Sequence, residues 1–309
     1  MSMLKSSSVA TIAMVLSAVV AVLPLSAHAD IFVTNYYGNT VGEYTNSGVA
    51  ISTDLISGLS NPEGIAVSGS DLFVVNNNEG IGWIGEYTTS GAVVNADLIS
   101  RLDVPHDIAV LGSDLFVTNS GGGTVGEYTT SGATVNQYLI SGLAYNVGIA
   151  ASGSDVFVAE TSGSQGTVGE YTTSGANVNA DLISGLSSPS GVVASGSELF
   201  VTSYNGFAQG TVGEYTTTGA AVNADLISGL SNPHGIAVSG SDLFVVNLDS
   251  DVIGEYSKTG TTINSDLVSG LNGPFGIAVT PVPVPTTFGL VAGLAAIAML
   301  LLTRRRRAV

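Results

Sequence analysis

Four short segments recur six times between residues 30 and 280, and this repetition limits the possible folds more than any other feature of the chain. "VGEY" or "IGEY" places Glu at 43, 86, 127, 170, 214 and 255, at spacings of 43, 41, 43, 44 and 41 residues. "DLFVVN" and its variants begin at Asp30, Asp71, Asp114, Asp155, Glu198 and Asp242. "LISGL" and its relatives begin at Leu55, Leu98, Leu139, Leu182, Leu226 and Leu267, and "GIAV" and its relatives at Gly64, Asp107, Gly148, Gly191, Gly235 and Gly276. Each segment is rich in β-branched and aromatic residues and is bounded by Gly, Ser or Asn, which is the pattern of a strand. The 3.6-residue apolar period of a helical solenoid is missing from this region. Four strands in 41 to 44 residues make a propeller blade. The body opens on "DIFVTN" at Asp30 and finishes on a lone "GIAV" at Gly276, so the last strand can complete the first blade. The expected fold is all-β: a six-bladed β-propeller over residues 30–280, four strands per blade, closed by its C-terminal strand.

All variation in repeat length falls in one connection. Between "DLFVVN" and "VGEY" the intervening residues number 5, 7, 5, 7, 8 and 5. With "GIAV" innermost as strand a, this is the loop from strand b to strand c, and it opens on the face where strand a begins. Variable loops on a rigid scaffold are where binding residues concentrate. Tyr36, Tyr37, Trp83, Tyr204 and Phe207 are candidates there for aromatic contact with a sugar or peptide, and Asp249 and Asp251 for a cation.

On the same face, the residue before each strand a and the residue ending each strand b are expected to ring the central channel in pairs. These pairs are Phe275 with Asn35, Glu63 with Asn76, His106 with Asn119, Val147 with Glu160, Ser190 with Ser203, and His234 with Asn247. His106 and His234 fall three blades apart, on opposite sides of the channel. The six Glu of "GEY" are too regular to mark one site and read as architectural.

Charge and composition bound the partners. The region from Asp30 to Thr280 carries all 24 acidic residues against two cations, Arg101 and Lys258, a net charge of −22. Such a body repels nucleic acid and anionic lipid. Cysteine is absent, which excludes thiol catalysis, thiolate metal sites and disulfides. No nucleophile elbow, phosphate-binding loop or zinc-protease helix motif occurs.

The ends read as addresses. Residues 1–29 have a charged start at Lys5, an apolar middle and a small-residue "AHA" close, as a signal peptide does. The other end joins a Pro-rich spacer, 281–285, to an apolar stretch and a basic cluster, Arg304, Arg305, Arg306 and Arg307, within 286–309. This order predicts a transmembrane helix with a cytoplasmic basic tail. Export across the inner membrane to the cell envelope, surface or extracellular matrix of a bacterium follows, with the export machinery as a partner.

Two resemblances add to this reading. Residues 282–309 are similar to the PEP-CTERM sorting signal, although Val282, Pro283, Val284 and Pro285 put a valine where that motif usually has Glu. The resemblance implies an exosortase-type protease as a partner. The recurring "PxGIAV…DLFVVN" resembles the repeats of NHL and SMP-30-like propellers over most of the body. Relatives of that kind hold Ca²⁺ or Zn²⁺ at the pore mouth for hydrolase or lyase chemistry, which would make Glu63, Asn76, His106, Asn119, Glu160, His234 and Asn247 the metal-ligand candidates. The leading expectation is an exported binding or structural scaffold with extracellular polysaccharide or an envelope protein as its ligand. The alternative is a pore-metal lactonase or lyase.

Overall fold

A computed structural model describes residues 30–280 apart from Ser164, Phe207 and Ala208. The expectations placed on 1–29, on 281–285 and on 286–309 lie outside the described residues, as does Phe207. Among the described residues no helix is long and apolar enough to cross a membrane.

The four repeated segments form six antiparallel four-stranded sheets, each in the order a-b-c-d. In blade 2 the strands are Pro62–Ser68, Asp71–Asn78, Ile81–Thr88 and Val93–Asp103. The inner strands of the six blades contact one another in a closed circle. Blade 1 is completed by the last strand, Pro274–Val279, which pairs with the first, Asp30–Asn35, in the register Ile31 to Val279 and Phe32 to Ala278. Thr280 then clasps Asp30: each backbone N–H is held by the other residue, Asp30 N–H by the Thr280 hydroxyl at 2.7 Å and Thr280 N–H by the Asp30 carbonyl at 3.0 Å.

Why the b strands read as nearly continuous apolar runs is now evident. Each is buried on both faces, because alternate side chains enter the cores on either side of the blade. Leu72 and Val74 pack toward blade 1 with Phe32 and Ile56, whereas Phe73 and Val75 pack toward blade 3 with Leu115 and Val117. Six such inter-blade cores replace one central core. The "GEY" Tyr residues close them from the c strands, and the neighbouring Glu lie opposite the b-strand Phe, as Phe32 to Glu43 shows. Burial, then the charge of the nearby Asp30, holds the Glu43 carboxyl above its ordinary range.

Each inner strand starts with an irregularity that aims one side chain at the channel. Pro62 pairs with Asn76 and Ile65 with Val74, so Glu63 and Gly64 oppose Val75 alone. The same two-against-one bulge recurs after Pro105, Pro189 and Pro233. A bulge re-aims a side chain, and here it does so for the residue after each Pro. The residue before the Pro is left-handed: Asn61, Val104, Ser188, Asn232 and Gly273 all have positive φ. Val104, at φ 51°, is β-branched and strained in that region. Val104→Asn, which copies blades 2 and 6, is therefore expected to raise unfolding stability by about 1 kcal/mol. A urea midpoint unchanged or lowered would contradict the assignment of strain.

Candidate active site at the channel mouth

Glu63, His106 and Tyr145 form one chain across three consecutive blades. Glu63, only 3% exposed, sets Oε2 at 2.5 Å from His106 Nδ1, while its Oε1 accepts the Asn77 side-chain amide at 2.9 Å. On the other side of the imidazole, Nε2 lies 2.5 Å from the Tyr145 hydroxyl, with the two rings edge to face. A carboxylate beside Nδ1 favours a proton on that nitrogen and leaves Nε2 to accept the phenolic O–H. Glu63 Oε2 and His106 Nδ1 touch without the alignment of a finished hydrogen bond, and neither has another hydrogen-bond partner. Such contacts commonly tighten only when substrate is bound.

Tyr145 is the member that reaches solvent, being 50% exposed. Burial of the ring raises its phenol above the ordinary value; Ser120 opposes this by hydrogen bonding, and the charges of Glu63 and Tyr36 add to it. The phenol thus enters a reaction protonated at neutral pH.

Across the channel, Phe275 lies 4.4 Å from His234 and 6.4 Å from His106 between ring centroids. His234 is packed by protein yet still touched by solvent. Burial, and next the charge of His106, lower it to about 4, with Asp249 acting in the other direction, so the imidazole is neutral at pH 7. Tyr36 extends the aromatic wall, 6.0 Å from Phe275, and its hydroxyl accepts the Asn61 amide at 3.0 Å. The exposed Tyr37 stands edge-on to Tyr36.

The expected ring of pairs does not form. The residues ending strand b turn away from the channel and hold the segment that leads into strand a. Asn76 accepts the Ser60 backbone N–H and Asn247 that of Ser231, and both donate to carbonyls of their own strands. Asn119 donates to Val117, while its amide oxygen is buried without a hydrogen-bond partner. Glu160 accepts the Ala144 N–H at 2.9 Å and the Tyr171 hydroxyl at 3.4 Å. The physical reason is alternation: with the neighbouring b-strand side chain committed to one core, the terminal one points between blades.

The candidate metal ligands make different contacts from one another. Glu63 Oε1 accepts the Asn77 amide, His106 Nε2 lies against the Tyr145 hydroxyl, Glu63 Oε2 and His106 Nδ1 face each other with no other hydrogen-bond partner, and His234 stands beyond Phe275. Among the described residues no group of three His, Asp or Glu can hold a metal ion. Asp249 and Asp251 do not converge either: Asp249 accepts the Asn232 side-chain amide and Asp251 the Gly273 backbone N–H. Trp83, expected on a loop, belongs to strand c of blade 2 opposite Asn76, because that hairpin stays paired as far as Asn78 and Ile81. Tyr204 follows strand b of blade 5, its N–H bonded to the Ser187 carbonyl at 2.9 Å.

Three residues of the site escaped the sequence reading: Tyr145, Asn77 and Asp107. Blade 4 carries Asn146 where the other blades have Pro, so strand a begins earlier there, Tyr145 pairs with Thr161, and its hydroxyl comes within reach of His106. Asp107 is the single exception among five Gly at its place in the repeat. At Gly148, for comparison, a Cβ would collide with the Ser190 carbonyl of the next blade. The Asp107 carboxylate is enclosed by protein beside the channel. Burial raises it to about 6, against the pull of the Ile108 and Ile149 N–H groups and the charge of His106.

Comparison with known proteins places this geometry. No curated protein matches the chain. Among solved structures, one from a nidogen/laminin complex is 13% identical, with a TM-score of 0.66, and the match covers 81% of this chain and 98% of that one. Virginiamycin B lyase from Staphylococcus aureus is 21% identical, with a TM-score of 0.51 over 71% of this chain and 73% of that one. These two likenesses are of fold. Residues 5–256 match the virginiamycin B lyase family. With that match extending into the third strand of blade 6, the chain belongs to the virginiamycin B lyase family.

Proposed function

We propose that this protein is a lyase whose proton transfers run through Tyr145, His106 and Glu63 at the channel mouth. The observation that carries the reading is the continuous Glu63–His106–Tyr145 chain, with its one exposed end at Tyr145 and the rings of Phe275, Tyr36 and His234 grouped on the other side of His106. Membership of a family named for a lyase supports it over the scaffold suggested by the uniform blades.

The chemistry follows from the geometry. An elimination needs a base to take a proton from carbon and an acid to return one to the leaving group. As Tyr145 oxygen takes the substrate proton, its own proton passes to His106 Nε2, and Glu63 stabilises the imidazolium, the role of the carboxylate in a nucleophile–His–carboxylate triad. The electron pair of the broken C–H bond becomes the new double bond and expels the leaving group. Tyr145 returns the proton to that group, recovers its own from His106, and the chain is restored. Substrates suited to this have a leaving group one carbon removed from a hydrogen acidified by a carbonyl. Substrate must meet Tyr145 from its solvent-exposed side, since the enclosed space lined by His106, His234 and Phe275 is only ≈ 40 Å³, enough for about three waters.

The export reading belongs to the same proposal. Asp30 and Thr280 are hydrogen-bonded side by side where the inner strands end, opposite the mouth, so the body begins and ends away from the site.

Purified protein incubated with virginiamycin B, the compound that names the family, and with a panel of esters of the stated class should convert at least one to products whose masses sum to that of the substrate. Hydrolysis would add the mass of one water and would refute elimination. His106→Ala should abolish the conversion; retained turnover in that variant would remove the chain from the mechanism.

A further inference from the structure

Two departures from the repeat, Asp107 in blade 3 and the early start of the inner strand in blade 4, meet at one blade junction. Asp107 follows His106 on the strand Pro105–Leu111, and Tyr145 opens the strand Tyr145–Ser152. The Asp107 carboxylate joins these two strands: Oδ1 accepts the Ile108 N–H of its own strand at 2.9 Å, and Oδ2 accepts the Ile149 N–H of the other at 3.1 Å. Thr118 adds a second tie, two residues nearer to Tyr145. Its hydroxyl accepts the Asp107 N–H at 2.9 Å and donates to the Val147 carbonyl at 3.1 Å. Between the two ties lies Gly148, so close to the next blade that a Cβ would stand 2.3 Å from the Ser190 carbonyl oxygen. Residues 147–149 are thus held between blades 3 and 5. Other contacts have to place them, because the pairing of this strand with Asp155–Ser162 slips register between Asn146 and Ile149.

Closing the ring does not require the carboxylate. Thr34 and Thr202 occupy the place of Thr118 at the junctions of blade 1 with blade 2 and of blade 5 with blade 6. Thr34 accepts the Gly276 N–H at 2.8 Å and donates to the Glu63 carbonyl at 2.6 Å, and Thr202 accepts the Gly191 N–H at 2.7 Å and donates to the His234 carbonyl at 2.8 Å. Both of these junctions have Gly where blade 3 has Asp107. The added tie falls at the one junction whose inner strands carry His106 and Tyr145. Two N–H donors need two acceptor oxygens, which a carboxylate offers and an amide does not, since one end of the amide is itself a donor.

We infer that Asp107 is the positioning residue of the Glu63–His106–Tyr145 chain, a role whose effect on turnover rests on the lyase reading. It acts through the backbone of residues 147–149, setting the Tyr145 strand against the His106 strand so that the phenol reaches Nε2.

The experiment is NMR and kinetics on Asp107→Asn and on Asp107→Gly, the latter supplying the residue of the other five blades. In the unmutated protein without substrate, NOEs between the His106 and Tyr145 rings are expected, with a His106 Nε2 resonance displaced from its position in Tyr145→Phe. Both variants should weaken the NOEs and bring that resonance toward its Tyr145→Phe position. On any substrate that the unmutated protein converts, they should lower kcat by about ten- to a hundredfold, with KM changed by less than about threefold. Asp107→Asn should do so while its urea midpoint at pH 8 rises, a combination that a residue supporting the fold alone would not give. NOEs of undiminished intensity, with or without a shifted nitrogen, would overturn the inference, and so would an unchanged kcat in Asp107→Asn. If the unmutated protein converts nothing, the lyase reading falls, and the NOEs by themselves decide whether Asp107 positions the two rings.

Discussion

Tyr145→Phe is expected to leave the propeller folded while lowering lyase turnover by about two to four orders of magnitude, the usual worth of a positioned acid–base group. Phe preserves the ring that packs edge-on to His106 and removes only the oxygen at its Nε2. The hydroxyl is the part of the chain that meets solvent, so neither His106 nor Glu63 can replace it without rearrangement. Turnover should fall much more than substrate affinity, and the urea midpoint should move little because the lost bond lies at a half-exposed position. Glu63→Gln separates positioning from charge: it can keep the contact with Asn77 but no longer stabilises an imidazolium. If Tyr145→Phe retained full turnover, the proton would be taking another route, and if activity and stability fell together, Tyr145 would be a structural residue.

The second large effect concerns the pH dependence of stability. Asp107 sits at about 6 in the folded protein against an ordinary 3.8, so its ionisation disfavours the native state by about 3 kcal/mol above neutrality. That cost is relieved as pH falls from about 6 toward 4, because the folded state takes up the proton first. His234 has the opposite sign. Its value of about 4 lies below the ordinary 6.5, so the unfolded chain is protonated first and stability is lost as pH falls through the same window, again by about 3 kcal/mol. These two contributions offset each other in the unmutated protein. Asp107→Asn removes one of them. After forfeiting about 1 kcal/mol for a lost acceptor, the variant should gain about 2 kcal/mol at pH 8 and then decline steeply toward pH 4. Urea unfolding at pH 8, 6 and 4.5 would show this as two curves that converge in acid; parallel curves would rule it out.

Much of this molecule could be read before folding it. The strand content, the six blades, the closure by Gly276 and its neighbours, and the position of Glu63 and His106 at the start of their inner strands follow from period and order, since each blade repeats the same local solution. What the repeat conceals is departure from itself. Asn146 in place of Pro looks like a minor substitution, yet it releases the backbone from the left-handed turn and carries Tyr145 to His106. Asp107 passes for a variant of "GIAV" until it is seen among five Gly where neighbouring blades converge. The Asn residues closing the b strands misled for the converse reason. They share the channel face in the linear pattern, but the pleat turns them between blades.

The sequence by itself determined the architecture, because hydrophobic alternation and turn chemistry are local and six copies reinforce one another. It also determined which residue types stand at the mouth. Only the tertiary structure decided which of them meet. A contact such as Glu63 with His106, 43 positions apart, depends on a bulge in each of two strands and on how adjacent blades turn about a common axis. Fractions of an ångström in that packing separate a proton relay from two solvated side chains, and no periodicity along the chain encodes them.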